Sequence, residues 1–102
     1  MRKIVFACAM FMGFTGASVA GESGLASYYL NPYYDGLIAA HKTLPFGARV
    51  KVFNLDNGKS AIVKIVDRGP FIRGRIIDVS PFAANVLGFR QAGLAHVRIE
   101  RI

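Results

Sequence analysis

Cysteine occurs once, as Cys8, and tryptophan not at all. A single thiol excludes a disulfide framework, and its place inside an amino-terminal apolar run removes it from any domain that follows. Acidic side chains are also scarce, six against thirteen Lys and Arg, so few groups are available for acid–base chemistry. The two histidines, with no cysteine beyond Cys8, offer no ligand spacing for zinc, and neither a metal nor another cofactor is expected. After residue 20 no apolar run approaches the roughly 20 residues that a membrane-spanning helix needs.

What is present divides the chain in two. Arg2 and Lys3 precede the apolar run Ile4 to Phe14, and Ser18-Val19-Ala20 places small residues where a signal peptidase cuts. This layout predicts a secretory signal peptide over 1–20, with Gly21 as the mature start. Cys8 has only Ile4 to Ala7 as apolar residues before it, so lipidation is not expected. Residues 21–102 suffice for one small domain. They carry 11 basic and 6 acidic side chains, a net charge of +5, which favours anionic partners. Export directs that charge away from nucleic acid and towards wall polymer or acidic headgroups, in the periplasm or outside the cell. A monomer is expected.

Short β-runs separated by turn residues dominate the domain. Leu25 to Tyr29 reads as a first strand, which Asn31-Pro32 ends. Arg49-Val50-Lys51-Val52-Phe53 alternates as a half-buried strand should. Asp56-Asn57-Gly58 then signals a hairpin, with Ser60 to Val66 returning. Arg75 to Val79 is a further strand. Ser80 caps a helix that starts at Pro81 and stops at Gly88, and Val97 to Glu100 closes the pattern. Pattern alone predicts a small β-barrel, whose closure removes exposed sheet edges.

Three segments carry a family resemblance: Leu37 to Gly47, with its Ala-Ala-His-Lys-Thr-Leu-Pro stretch; Asn54 to Gly58 leading into Val66-Asp67-Arg68-Gly69-Pro70-Phe71; and Gly74-Arg75-Ile76-Ile77-Asp78-Val79-Ser80 through the helix. In order and spacing these resemble the RlpA (rare lipoprotein A) family, and the similarity covers roughly Gly24 to Ile102. The resemblance implies a mainly β fold, a six-stranded double-psi β-barrel with one or two short helices, shared with expansins. It also implies lytic transglycosylase activity, cutting peptidoglycan glycan strands without water to leave 1,6-anhydro ends. Active members carry a longer, glutamate-bearing segment where Tyr29 to Gly36 stands here, and a carboxy-terminal SPOR domain that this sequence does not show. The alternative is therefore a barrel that binds glycan without cutting it, in the manner of an expansin. A secreted protein-binding scaffold is a third reading.

Glycosidic cleavage needs a carboxylic acid to protonate the leaving oxygen. In a lytic transglycosylase the muramic 6-hydroxyl replaces water, so one carboxyl can serve as acid and then base. Of the six acids, Glu22 adjoins the cleavage site, Asp56 opens the hairpin turn, and Glu100 falls on the outward phase of the last strand. Asp67, Asp78 and Asp35 remain. By resemblance Asp67 and Asp78 match the aspartates that double-psi barrels set around a sugar groove, with Asp67 as acid/base and Asp78 supporting it. A structural reading stays open for each, as turn cap or partner of Arg68 for Asp67 and as anchor of the helix start for Asp78. His41 is a candidate proton carrier or sugar contact through its motif, and His96 is read as structural. Tyr28 and Tyr29, with their rings, are candidate substrate contacts. So are Asp35, Lys42, Arg68, Phe71 and Arg75.

Overall fold

The computed structural model describes residues 21–102, and the predicted signal segment 1–20 lies outside them. Six strands and one helix follow in the order β1 Glu22–Tyr28, β2 Ile38–Ala40, β3 Arg49–Asn54, β4 Ser60–Asp67, β5 Arg75–Val79, α1 Pro81–Leu87 and β6 Ala95–Arg101. The strands close a barrel in the order β1-β5-β2-β4-β3-β6. β1–β5 and β2–β4 are parallel, and the remaining neighbours are antiparallel. The expected mainly β barrel with a short helix is thus the observed fold.

Alternation builds the core. On β3, Val50 and Val52 are buried while Arg49, Lys51 and Phe53 face out. Val63 and Ile65 of β4, Ile77 and Val79 of β5 and Val97 and Ile99 of β6 meet them in one apolar cluster. Each such side chain, fully buried, contributes about 1.5–3 kcal/mol of transfer free energy. α1 closes one side, with Ala83, Ala84 and Leu87 joining the cluster.

Local signals explain the boundaries. The Ser80 side chain accepts from the Ala83 N–H, Pro81 takes the first helical position, and Gly88 ends the helix at φ 78°, a left-handed conformation that glycine adopts without strain. Gly58 has φ 81° in the β3–β4 turn. Beneath that turn Asn54, 2 % exposed, accepts from the Asp56 N–H and donates to Leu87 O at 2.8 Å, so one buried amide joins the hairpin to the end of α1.

β1, β2 and β6 differ from the sequence reading, β6 running from Ala95 to Arg101 rather than from Val97 to Glu100. β1 starts at Glu22 and ends at Tyr28, leaving Tyr29 beyond the strand. β2 was not visible as a strand: it has three residues, all buried, and so shows neither alternation nor length. Its pairing to β4 on one side and β5 on the other makes it a strand.

Candidate active site

The site is built by register. Ala40 of β2 is paired with Asp78 of β5 on one side and with Asp67 of β4 on the other. Asp78 is in turn opposite Ser27 of β1. Four neighbouring strands thus carry Ser27, Asp78, Ala40 and Asp67 in one row. Two strand spacings put the aspartate Cα atoms about 10 Å apart.

A break in the ladder makes this row possible. Val63 and Ile65 face the core, so simple alternation would turn Asp67 inward as well. Between Ala39 and Ala40 the register shifts, with Ala39 opposite Ile65 but Ala40 opposite Asp67. Val66 is passed over, and Asp67 comes to the outer phase that Asp78 holds between core-facing Ile77 and Val79. Re-aiming one side chain at a barrel rim is a common use of such an irregularity. A second shift, between Leu25 and Ala26, sets Ser27 opposite Asp78.

Each aspartate is held differently. Asp67 Oδ1 accepts the Arg68 N–H at 2.8 Å, and Oδ2 accepts the Tyr29 hydroxyl at 3.2 Å. The Tyr29 oxygen accepts in turn from Asn31 Nδ2 at 3.0 Å. Burial raises the Tyr29 pKa above 10.0; the Asn31 hydrogen bond works against this, and the charges of Asp67 and Asp78 add to it. Tyr29 is therefore a neutral hydroxyl across the physiological range, within the field of both carboxylates. Asp78 Oδ1 accepts a close hydrogen bond from Ser27 Oγ, which also accepts from Arg75 Nη1 at 3.3 Å.

Arg68 and His41 shape the adjoining loop. Arg68 Nη1 donates to Leu44 O at 2.7 Å and His41 O at 3.2 Å, and its guanidinium lies 4.3 Å from the Phe46 ring centroid. His41 is 5 % exposed. Its Nδ1 accepts the Thr43 and Leu44 N–H groups, both at 3.1 Å, which places the ring proton on Nε2. That nitrogen donates to Glu22 Oε1 at 2.9 Å. Both ring nitrogens are thus engaged, Nδ1 holding the chain after β2 and Nε2 tying it to the start of β1.

The structure brings together Asp67, Asp78, Tyr29, Arg68 and Arg75. Tyr28 turns the other way: its ring packs on the core and faces Phe89 at 6.2 Å, under Arg90. Asp35 lies with Asn31, Pro32, Tyr33 and Tyr34 around an open cleft of about 400 Å³. Lys42 and Phe71 are exposed on the flanking loops. Among the described residues no cluster could hold a metal ion, and no helix is long and apolar enough to cross a membrane.

Three residues of the site escaped the sequence reading. Ser27 was hidden in an apolar strand, where one polar residue on the phase opposite Ala26 was the available signal. Asn31 shows in the sequence only as a strand breaker. Glu22 adjoins residue 20 in the sequence, yet its carboxylate meets His41. Asp56, read as a turn residue, does more: Oδ2 accepts the His96 N–H at 3.0 Å and Oδ1 lies 3.1 Å from His96 Nδ1, tying the hairpin to β6.

Known proteins share this fold. The family profile described as "Lytic transglycolase" matches residues 33–99. A probable endolytic peptidoglycan transglycosylase RlpA of Nostoc is 51 % identical over 85 residues, covering 83 % of this chain and 22 % of that protein. The endolytic peptidoglycan transglycosylase RlpA of Vibrio cholerae is 52 % identical over 93 residues, covering 79 % and 35 %. The chain thus spans between a fifth and about a third of the length of these relatives. Among solved structures, a mutant Clavibacter michiganensis expansin in complex with cellohexaose superposes with a TM-score of 0.66 at 15 % identity, over 80 % of this chain and 50 % of that one. The Streptomyces papain inhibitor does so at 0.63 and 21 %, over 80 % and 94 %. With more than half of its length matched by the family profile and relatives about 50 % identical, the chain belongs to the lytic transglycolase family, as a double-psi β-barrel of the RlpA kind.

Proposed function

We propose that this barrel cleaves the glycan strands of peptidoglycan as a lytic transglycosylase, working outside the inner membrane after export. The carrying observation is the row that sets Asp67 and Asp78 on either side of Ala40, on one outer face. The names of the relatives, endolytic peptidoglycan transglycosylases, support the substrate class, and the cellohexaose complex of the expansin supports a glycan as ligand.

In this reading Asp67, protonated, donates to the glycosidic oxygen as the bond to the muramic anomeric carbon breaks. Asp78, fixed by Ser27 and with Arg75 beyond it, stabilises the positive charge that develops at that carbon. The 6-hydroxyl of the same sugar then attacks, and Asp67 takes its proton. The acid is restored, no water enters, and the product ends in a 1,6-anhydro ring. Tyr29 and Arg68 orient the Asp67 carboxyl, while Asp35, Lys42 and Phe71 on the flanking loops contact the strand. His41 acts here by holding the loop after β2.

The test is mass spectrometry of purified glycan strands, with and without stem peptides, after incubation with residues 21–102. Anhydro-ended fragments that disappear with Asp67→Asn support the reading. Strands that co-sediment with the protein yet stay uncut would show a binding barrel without the chemistry.

A further inference from the structure

The wall opposite the aspartate row has its own pattern. In the ring of six strands β3 stands opposite β5, and β6 opposite β2. The outward residues of β3 and β6 are therefore turned away from the site, and those of β4 before Asp67 adjoin them. They include Lys64 on β4, Arg49 and Lys51 on β3 and Arg98 on β6, with Arg101 exposed at the end of β6. On these strands' outward phase Glu100 is already bound by Arg98, and Asp67 ends β4 at the edge of the wall beside the site.

The register of these cations is costly for an isolated fold. Arg49 is directly opposite Lys64, and like charges directly opposite on antiparallel strands destabilise the pair. Beside them, Lys51 and Arg98 lie over the Phe53 ring at 5.1 and 4.9 Å, which holds their charged heads at the surface. Apolar groups stand among the cations. Ile62, opposite Lys51, is 37 % exposed, and Ile102, whose N–H donates to Arg49 O, is 66 % exposed.

We propose that this β4–β3–β6 wall docks on an acidic phospholipid surface. The wall is the convex outside of a barrel rather than a cleft, and it offers cations about 5–7 Å apart, the spacing of neighbouring strands and of alternate residues. Headgroup phosphates between Arg49 and Lys64 relieve their repulsion, and Ile62 and Ile102 reach the boundary below the headgroups. Docked in this way, the barrel turns Asp78 away from the lipid and leaves Asp67 at the edge of the docked wall.

Co-sedimentation of residues 21–102, which hold all six strands, with vesicles tests the proposal. Vesicles of phosphatidylcholine mixed with phosphatidylglycerol should pellet the protein, and phosphatidylcholine alone should not. Each cation near such a surface is worth about fivefold in affinity. Arg49→Glu with Lys64→Glu should therefore weaken binding by about 25-fold or more, whereas Arg73→Glu with Arg90→Glu, the same charge change on exposed residues off this wall, should leave it nearly unchanged. Equal losses in the two double variants would overturn the proposal in favour of net charge. Failure to pellet with mixed vesicles, or binding to polyglutamate as strong as to vesicles, would overturn it as well.

Discussion

The two halves of the barrel differ in how they are made. The β4–β3–β6 half is an unbroken antiparallel ladder, in which five consecutive pairs join β3 to β4 and five join β3 to β6. The β1–β5–β2–β4 half contains both parallel pairs, both register shifts and the three-residue β2. Regular pairing on one side anchors the strands. Broken pairing on the other turns polar side chains to a face where alternation alone would not put them.

If that division is correct, substitutions in each half should fail in different ways. Asp67→Asn should lower the yield of anhydro products by about 10²- to 10⁴-fold, the usual worth of a positioned acid–base group, with the melting temperature nearly unchanged. Loss of stability instead would mean that Asp67 is a turn residue. Val52→Ala, in the regular half, should cost about 2 kcal/mol through the cavity it leaves, and denaturant melts would show it while turnover by the folded fraction persists. Ala40→Val tests the join between the halves. Ala40 is 3 % exposed, and two added methyl groups between the aspartates should cost about 1–3 kcal/mol and reduce cleavage together.

Smaller effects probe the ladder itself. Lys64→Glu converts a like-charge pair with Arg49 into an opposite one, and should stabilise the barrel by about 0.2–1 kcal/mol. The smallest effect concerns pH. The His96 N–H lowers the pKa of Asp56 below 3.8, so the folded state binds a proton less readily than the unfolded one. The associated stability is complete above the unfolded value and is lost as pH falls through the lower, folded one. Asp56→Asn should flatten that acid limb of the melting curve and leave neutral pH little affected.

The same division explains what could be read in advance. Arg49 to Phe53 and Ser60 to Val66 alternate and flank an Asn-Gly turn, so periodicity reveals them. Ser80, Pro81 and Gly88 bound α1 through backbone requirements that belong to those residues alone. Asp67 and Asp78 are marked by their motifs, and only the resemblance implies their shared groove, because a period of two sends Asp67 inward and only the passing-over of Val66 reverses it. Ile38 to Ala40 is buried on both faces and too short to carry a period. Ser27 and Glu22 acquire their partners, Asp78 and His41, across 51 and 19 residues of chain, a separation that local pattern does not report.

The closing ladder has a mechanical consequence. β1 and β6 are antiparallel, with Glu22 opposite Ile99 and Ala26 opposite Ala95, so the chain enters and leaves the barrel at adjacent points on one seam. Their hydrogen bonds run perpendicular to the strands. Tension applied at residues 21 and 102 would load these bonds one after another, opening the seam like a zip rather than shearing it. A barrel pulled by its two ends would therefore yield first between β1 and β6, while the β3–β4 hairpin, off the line of force, would still be paired.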